Sequence, residues 1–153
     1  MIRAIRTRAR RAAAVLTMAA AVLGRSDVAA ACSCRVPPPP QEALAQADAV
    51  FLGLAQALAA PGAEGAPPGQ AAVTFNVERS WKGVEEPYVT VYTAEHTAVC
   101  GYPFEVGRRY LVYAAQSAPG VLTTTICTRT ADADAAPSDL AELGPGRPSI
   151  GGH

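Results

Sequence analysis

The chain has 153 residues, enough for one domain, and its 13 basic and 13 acidic residues balance. The balance hides an asymmetry: six basic residues and one acidic residue precede Cys32, which leaves 7 basic and 12 acidic residues from there on, a formal charge of about −5. Because nucleic-acid phosphates require clusters of Lys and Arg, this acidic composition excludes nucleic acid as the expected partner.

The first 31 residues are typical of a secretory signal peptide. Five arginines within residues 3–11 precede an apolar run at 12–23 and small residues at 28–31. The apolar run is too short for a permanent membrane span. We therefore expect residues 1–31 to be removed and the mature chain to begin at Cys32. The product would be secreted, or exported to a periplasm-like space, with no membrane span.

After the cysteine pair at 32 and 34, prolines 37–40 predict a stiff extended segment that leads into a short helix over 40–47. Alternating or apolar segments predict five strands, over 49–58, 71–81, 88–92, 109–115 and 121–127. Gly53 is a candidate bulge in the first strand. The Pro- and Gly-rich residues 59–70 predict a loop.

A second short helix, capped near Ser138 and ended by Gly144, is expected over 138–144, and a disordered tail over 145–153. The elements therefore predict one all-β domain with small added helices over residues 32–144. A five-stranded Greek-key barrel fits the strand count.

Four cysteines follow the expected cleavage point: Cys32, Cys34, Cys100 and Cys127. An even number in a small exported chain indicates two disulfides. A bridge between Cys32 and Cys34 is disfavoured by the Cα separation and torsion that a disulfide requires. We expect two long-range bridges, one from each of these two cysteines, and the residues alone leave open which distal cysteine each one joins.

Residues suited to catalysis are sparse. His96 lies in a loop, His153 ends the tail, and the sequence has neither a nucleophile elbow around a serine nor a phosphate-binding loop. Asp132 and Asp134 lie two apart in a loop, where solvated carboxylates are more common than a calcium site. We therefore expect no enzyme activity, no cofactor and no intrinsic metal site.

The unusual feature is Cys32-Ser33-Cys34 at the expected cleavage point. A free α-amine and the carbonyl oxygen of the same residue can chelate one metal ion in a five-membered ring. A bridge at Cys34 would hold that end rigid, which lowers the entropic cost of binding. The alternative is that the cysteine pair only tethers the N-terminus.

Several segments, in order, resemble the tissue inhibitors of metalloproteinases. They are Cys32-Ser33-Cys34, Pro37 to Pro40, Gln41-Glu42-Ala43, Asp48 before a strand, Val99-Cys100-Gly101-Tyr102 and Thr124-Thr125-Ile126-Cys127. The resemblance covers residues 32–143. The family's third N-terminal cysteine is replaced by Ala45, and both its late partner and the family's C-terminal subdomain are missing. The arginine-rich start on a single domain is similar to a bacterial member.

This resemblance implies the five-stranded oligonucleotide/oligosaccharide-binding (OB) barrel of the netrin-like group, with the pairs Cys32–Cys100 and Cys34–Cys127. It also implies a monomeric inhibitor whose Cys32 amine and carbonyl chelate the catalytic zinc of a metalloendopeptidase. Ser33 would point toward the specificity pocket beside that zinc. The residues implied to contact the protease are Ser33, Cys34, Arg35, Val36, Thr97, Ala98 and Val99.

Three other interpretations remain open. The same barrel serves elsewhere as a protein- or glycan-binding module without inhibitory activity. Residues 29–32 resemble a lipobox, although acylation of Cys32 would leave an odd number of cysteines. A structural zinc site formed by four thiolates is disfavoured, because Cys-x-Cys is not the usual Cys-x2-Cys knuckle and exported compartments are oxidising.

Overall fold

A computed structural model describes residues 32–149, so the expected signal peptide and residues 150–153, which include His153, lie outside the described range. No helix in the described range is long and apolar enough to cross a membrane. The elements in chain order are α1 (Pro40–Gln46), β1 (Ala49–Ala59), β2 (Gln70–Lys82), β3 (Tyr88–Ala94), a 3₁₀-helix (Thr97–Val99), β4 (Arg109–Ala118), β5 (Val121–Thr123), β6 (Ala131–Asp132), a second 3₁₀-helix (Ala133–Ala135), α2 (Pro137–Leu143) and β7 (Arg147–Pro148).

Five of the strands close into a barrel. β1 pairs antiparallel with β2 and with β4, β2 pairs with β3, and β4 pairs with β5. β3 and β5 run parallel, with Val91 opposite Leu122, and this pairing closes the ring. The strand order β1-β2-β3-β5-β4 and back to β1 confirms the expected five-stranded Greek-key OB barrel with small added helices. The short strands β6 and β7 extend it at β4 and β2.

Aromatic rings fill the barrel interior. The alternation in β2 points Val73, Phe75 and Val77 inward, and all three are buried. The ring of Phe75 meets those of Phe51 and Phe104 edge to face, at centroid distances of 5.4 and 5.2 Å. Since edge-to-face contacts add to the gain from burial, these rings anchor the core.

A second apolar cluster lies outside the barrel, between β1, β4 and the two helices. Its buried members are Ala43, Val50, Leu111, Tyr113, Ala136 and Leu143. β1 is therefore covered on both faces over its first half, which accounts for the almost continuous apolar sequence there. The indole nitrogen of Trp81 donates to the carbonyl of Gly144 at 3.1 Å, so the end of α2 is fixed to β2.

The first and last barrel strands each depart from expectation in one detail. The register of β1 with β2 shifts between Leu52 and Gly53, but the extra residue is Glu78 of β2, between the partners Arg79 and Val77, so Gly53 lies opposite a bulge and does not form one in β1. A Cβ on Gly53 would lie 2.9 Å from the carbonyl oxygen of Asn76, which explains the glycine. The last strand ends at Thr123 instead of residue 127, because the following threonines bond one another and turn the chain.

The C-terminal part also differs from expectation. Helix α2 begins at Pro137, and its N-cap is Ala136, so Ser138 lies inside the first turn and does not cap it. Arg147 and Pro148 pair with β2, and the amide of Ser149 donates to the carbonyl of Glu78 at 3.1 Å. Residues 147–149 are therefore ordered against the barrel, in contrast to the disordered tail expected from residue 145.

The hydroxyl of Tyr113 generates a prediction about alkaline stability. Tyr113 is 2% exposed, and burial, followed by the nearby charge of Asp139, raises its pKa to about 12. Because the folded pKa lies above the unfolded value of about 10, the stability is full below pH 10 and falls as the pH rises toward 12. Urea unfolding between pH 8 and about pH 11.5 should show a loss of up to about 2 kcal/mol.

Tyr113→Phe is the matched control, because it removes the titrating hydroxyl and keeps the ring. It should be about as stable as the parent at pH 8 and should lose less stability above pH 10. Equal alkaline losses in the two proteins would show that folding does not raise the pKa of Tyr113.

Candidate functional site

The N-terminal segment, residues 32–39, runs extended outside the sheet. Four successive side chains on it are exposed, namely those of Ser33, Cys34, Arg35 and Val36, and Val36 reaches 93% exposure. An apolar side chain this exposed on a small domain is available to a partner. No ladder of backbone hydrogen bonds holds this segment, so other contacts must fix it.

A second exposed segment lies beside it. The 3₁₀-helix Thr97–Val99 is held by bonds from the amides of Val99 and Cys100 to the carbonyls of His96 and Thr97, at 3.0 and 3.1 Å. All three of its side chains are exposed, Val99 at 58%. The helix thus presents a short ridge to solvent.

The end of this ridge has a conformation that few sequences permit. Cys100 is the only non-glycine residue with a positive φ in the described range, at 67°. The next residue, Gly101, donates its amide to the carbonyl of His96 at 2.9 Å, and a Cβ there would overlap the carbonyl oxygen of Ala94. The Cys-Gly pair is therefore needed to turn the chain back to the barrel.

Two disulfides join the segments. Cys32 bridges to Cys100 and Cys34 to Cys127, with Cα–Cα distances of 5.2 and 5.0 Å, the pairing implied by the resemblance. The bridged residues lie 68 and 93 positions apart, so in the chain-entropy model each closure contributes about 4–5 kcal/mol. The backbone nitrogen of Cys32 also donates to the carbonyl of Ala98 at 3.0 Å. The predicted protease-contact residues at 32–36 and 97–99 are therefore brought together.

A threonine network positions Cys127. The hydroxyl oxygens of Thr124 and Thr130 lie 2.8 and 3.1 Å from the carbonyl oxygen of Tyr113 and 2.8 Å from each other, so at least one of them donates to that carbonyl. Thr128 bonds both of them. Because these hydroxyls satisfy one another inside the protein, the chain leaves the sheet after Thr123 and turns so that Cys127 lies under the N-terminal segment.

A buried ion pair holds the other end of the N-terminal segment. The guanidinium of Arg129 donates to both carboxylate oxygens of Asp139, at 2.7 and 2.6 Å, and to the carbonyl of Pro38 at 3.0 Å. Asp139 is only 6% exposed. The hydrogen bond to Asp139 raises the pKa of the Arg129 guanidinium above its ordinary value, which keeps it charged. We call these three residues the Arg129 clasp.

Further bonds tie helix α1 to its surroundings. The side-chain amide nitrogen of Gln41 donates to the backbone carbonyl of Glu142 in α2 at 2.7 Å. The ammonium of Lys82 donates to the carbonyls of Leu44 and Ala45 at 3.1 and 2.9 Å, where a cation is favoured by the helix dipole. Ala45 is the position at which the resemblance places a missing cysteine, so hydrogen bonds connect this helix where a disulfide is absent.

The other residues that the sequence analysis singled out, Asp132, Asp134 and His96, contact neighbouring groups of the protein. Asp132 accepts the amide of Asp134 at 3.0 Å at the start of a 3₁₀-helix and pairs with Arg108. His96 is exposed, 3.7 Å from the carboxylate of Glu95, beside the ridge 97–99. The Arg129 clasp and the threonine network were not anticipated, because polar residues far apart in sequence give no periodic signal.

The fold and the site define a disulfide-stapled OB domain with an exposed N-terminal edge. The profile of the tissue inhibitor of metalloproteinase family matches residues 30–135. The chain is also 30% identical over 125 residues to metalloproteinase inhibitor 2 of Gallus gallus, an alignment that covers 76% of this chain and 56% of that protein. The chain therefore spans little more than half the length of this relative.

The chain belongs to the tissue inhibitor of metalloproteinase family. Proteins of this family are inhibitors and not enzymes. The match covers residues 30–135 and does not itself locate a site, so the N-terminal edge of residues 32–36 and 97–99 is the candidate site because of its exposure and the two bridges that join it.

The Arg129 clasp generates a stability prediction. Arg129→Met would leave the carboxylate of Asp139 buried without its partner, and such a loss costs about 3–5 kcal/mol. Urea unfolding with both disulfides intact measures it. The double variant Arg129→Met/Asp139→Leu removes both charges and should recover part of the loss.

A matched control is the exposed pair of Arg109 and Glu78, in which two guanidinium nitrogens also donate to the two carboxylate oxygens. Arg109→Met should cost about 1 kcal/mol or less, because solvent screens this pair. A similar cost for the Arg129 and Arg109 variants would show that the Arg129 clasp does not stabilise the protein through burial.

Proposed function

We propose that the processed chain inhibits zinc metalloendopeptidases. In this mechanism the α-amine and carbonyl oxygen of Cys32 bind the catalytic zinc of the protease, and Ser33 enters the adjacent specificity pocket. Arg35, Val36 and the ridge 97–99 contact the walls of the active-site cleft. The name of the chicken relative, metalloproteinase inhibitor 2, supports the class of target.

The observation that carries the proposal is the environment of Cys32. Its nitrogen lies 3.0 Å from the carbonyl oxygen of Ala98, and its side chain is bridged to Cys100, so the first residue of a processed chain would have little freedom. An edge that is rigid before binding loses little entropy on binding. The side chains of residues 33–36 and of the ridge 97–99 are exposed, which allows this edge to enter a cleft.

The chemistry of the amine follows from its bonding. A neutral α-amine carries two protons and one lone pair. One proton donated to Ala98 leaves the lone pair for the zinc. The protonated amine has no lone pair, and its ordinary pKa is about 8. Zinc binding therefore requires the neutral form.

Blocking this amine should abolish inhibition. Lys82 is the only lysine of the sequence, so in a Lys82→Arg variant an acetylating reagent finds the α-amine as the one primary amine of the processed chain. We expect acetylation of that variant to raise the inhibition constant by at least about 100-fold, the order expected when a metal ligand is lost. The unacetylated Lys82→Arg protein is the control, since arginine can still donate to the carbonyls of α1.

A chain that begins at Ala31 tests the same point without reagents, because its extra residue turns the amine of Cys32 into an amide. An inhibition constant unchanged by both treatments would contradict the mechanism. With the intact protein, the apparent affinity should fall by up to about tenfold per pH unit below the amine pKa. Subtracting the pH dependence of the acetylated protein separates this effect from titration of the protease.

Ser33, the residue proposed to enter the specificity pocket of the protease, gives a further prediction. Ser33→Glu should raise the inhibition constant by about 100-fold or more, because it brings a long anionic side chain to the specificity pocket. Tyr88→Glu is the matched control: Tyr88 is 53% exposed and begins β3, whose far end leads to the ridge 97–99. Binding of a protein or glycan partner that survives Ser33→Glu, with no inhibition by the parent, would favour the non-inhibitory module.

A further inference from the structure

Most of the basic side chains in the described range already have a partner within the chain. Residues 32–149 contain 7 basic residues and 12 acidic ones. Four of the basic residues form ion pairs, namely Arg108 with Asp132, Arg109 with Glu78, Arg129 with Asp139 and Arg147 with Glu85. A fifth, Lys82, donates to two carbonyls of α1. Arg35 and Arg79 are the two that make no such contact with residues 32–149.

Arg35 lies on the side of the N-terminal edge that faces away from the barrel. In an extended segment, successive side chains point in opposite directions. The side chains of Cys32 and Cys34 both turn toward the barrel, where they form the two disulfides with their sulfurs 4.0 Å apart. Ser33 and Arg35 therefore point to the other side, and both are exposed. A partner that receives the side chain of Ser33 also meets that of Arg35.

Arg35 is also the one charged side chain of the contact residues. The other residues at 32–36 and 97–99 are Cys, Ser, Val, Thr and Ala. A guanidinium that a partner encloses loses its hydration, and this costs free energy unless an anionic group accepts its hydrogen bonds. Among the side chains of a protein cleft, a carboxylate matches the fork of guanidinium donors. The chemistry of Arg35 therefore calls for an Asp or Glu on the partner.

We propose that Arg35 determines which proteases are inhibited, by pairing with a carboxylate on the wall of the active-site cleft. Residues 32 and 35 of an extended segment have Cα atoms about 10 Å apart, so this carboxylate lies roughly 10–15 Å from the zinc that Cys32 binds. The inference rests on the proposed inhibition and narrows its targets. They are zinc metalloendopeptidases with an Asp or Glu at that distance, on the side of the cleft that residues 34–36 enter.

The acidic remainder of the chain makes this pairing selective. The chain from Cys32 onward has a formal charge of about −5, so an acidic protease is repelled at long range. At physiological salt this repulsion is screened beyond about 8 Å, whereas a contact between Arg35 and a carboxylate is not. The position of the carboxylate in the target, and not the net charge of the target, therefore decides the affinity.

One protease and its amide variant test the pairing. The protease is a zinc metalloendopeptidase of known structure that the processed chain inhibits and that carries an Asp or Glu at the stated distance. In its variant that residue is replaced by Asn or Gln. We expect Arg35→Gln to raise the inhibition constant about tenfold against the protease and less than about twofold against the amide variant. Arg35→Lys keeps the charge without the fork, so its loss should lie between those of the parent and Arg35→Gln.

Arg79→Gln is the matched control, because it removes the same charge from the other unpaired, exposed arginine. Arg79 lies nine residues along β2 from Gln70, whose partner Ala94 leads to the ridge 97–99. Its variant should keep both inhibition constants within about twofold of those of the parent. Since neither arginine side chain bonds another group of residues 32–149, both variants should unfold in urea as the parent does.

A charge exchange tests the contact directly. Arg35→Glu places two carboxylates against each other, and we expect it to raise the inhibition constant at least about 100-fold against the unchanged protease. Replacing the carboxylate of the protease by Arg restores an opposite pair. Against that protease, Arg35→Glu should inhibit at least about tenfold better than the parent does, which is the coupling expected of two side chains in contact.

Equal losses for Arg35→Gln against the protease and its amide variant would overturn the inference, and so would equal effects of the Arg35 and Arg79 variants. A parent that inhibits only proteases without such a carboxylate would overturn it as well. These three results leave inhibition itself intact, so the proposed function would stand. A parent that inhibits no zinc metalloendopeptidase, with or without the carboxylate, would contradict the proposed function and the inference together.

Discussion

Two disulfides position the N-terminal edge of this protein, and the rest of the site depends on them. Residues 32–39 have no strand partner, so the edge could not stay beside the ridge 97–99 through sheet hydrogen bonds. The barrel supplies the fixed frame: β3 leads into the ridge with Cys100, and β5 leads into the threonine turn with Cys127. The bridges then transfer the rigidity of the barrel to an exposed segment, which favours binding with little entropic cost.

The helices contribute a second, non-covalent attachment. The Arg129 clasp joins Pro38 to α2, and Gln41 joins α1 to the last turn of α2. The family resemblance places a further bridge near Ala45, and this chain has hydrogen bonds and a buried ion pair in the same region. A buried ion pair stabilises less reliably than a disulfide, because desolvation offsets much of its attraction. The orientation of residues 35–39 is therefore more sensitive to single substitutions than that of Cys32.

Much of the fold could be predicted from the sequence, because alternation and apolar runs report directly on which face of a strand is buried. The five barrel strands and both helices were predicted from the sequence. The predicted end of β5 was wrong, since a run of threonines suits a strand and a hydroxyl-bonded turn equally well. The two-residue strands β6 and β7 are too short to show a period.

The candidate site was less accessible to sequence reasoning. The pairing of the cysteines came from the resemblance, because spacing alone allowed two long-range arrangements. The Arg129 clasp depends on two side chains and a backbone carbonyl from three separate segments, and such contacts exist only once the barrel has brought the segments together. The signal peptide, the monomeric state and the roles of the edge residues stay predictions.

The order of the bridges along the chain has a consequence for survival near proteases. The intervals 32–100 and 34–127 overlap, and both contain the turn-rich connection between β1 and β2, residues 60–69. Exposed loops rich in small residues are the preferred sites of cleavage. A single cut there would leave two fragments still joined by both sulfur links, with β1 and β2 on opposite sides of the cut and paired through their backbones. A nicked molecule would therefore remain one covalent unit with its N-terminal edge attached.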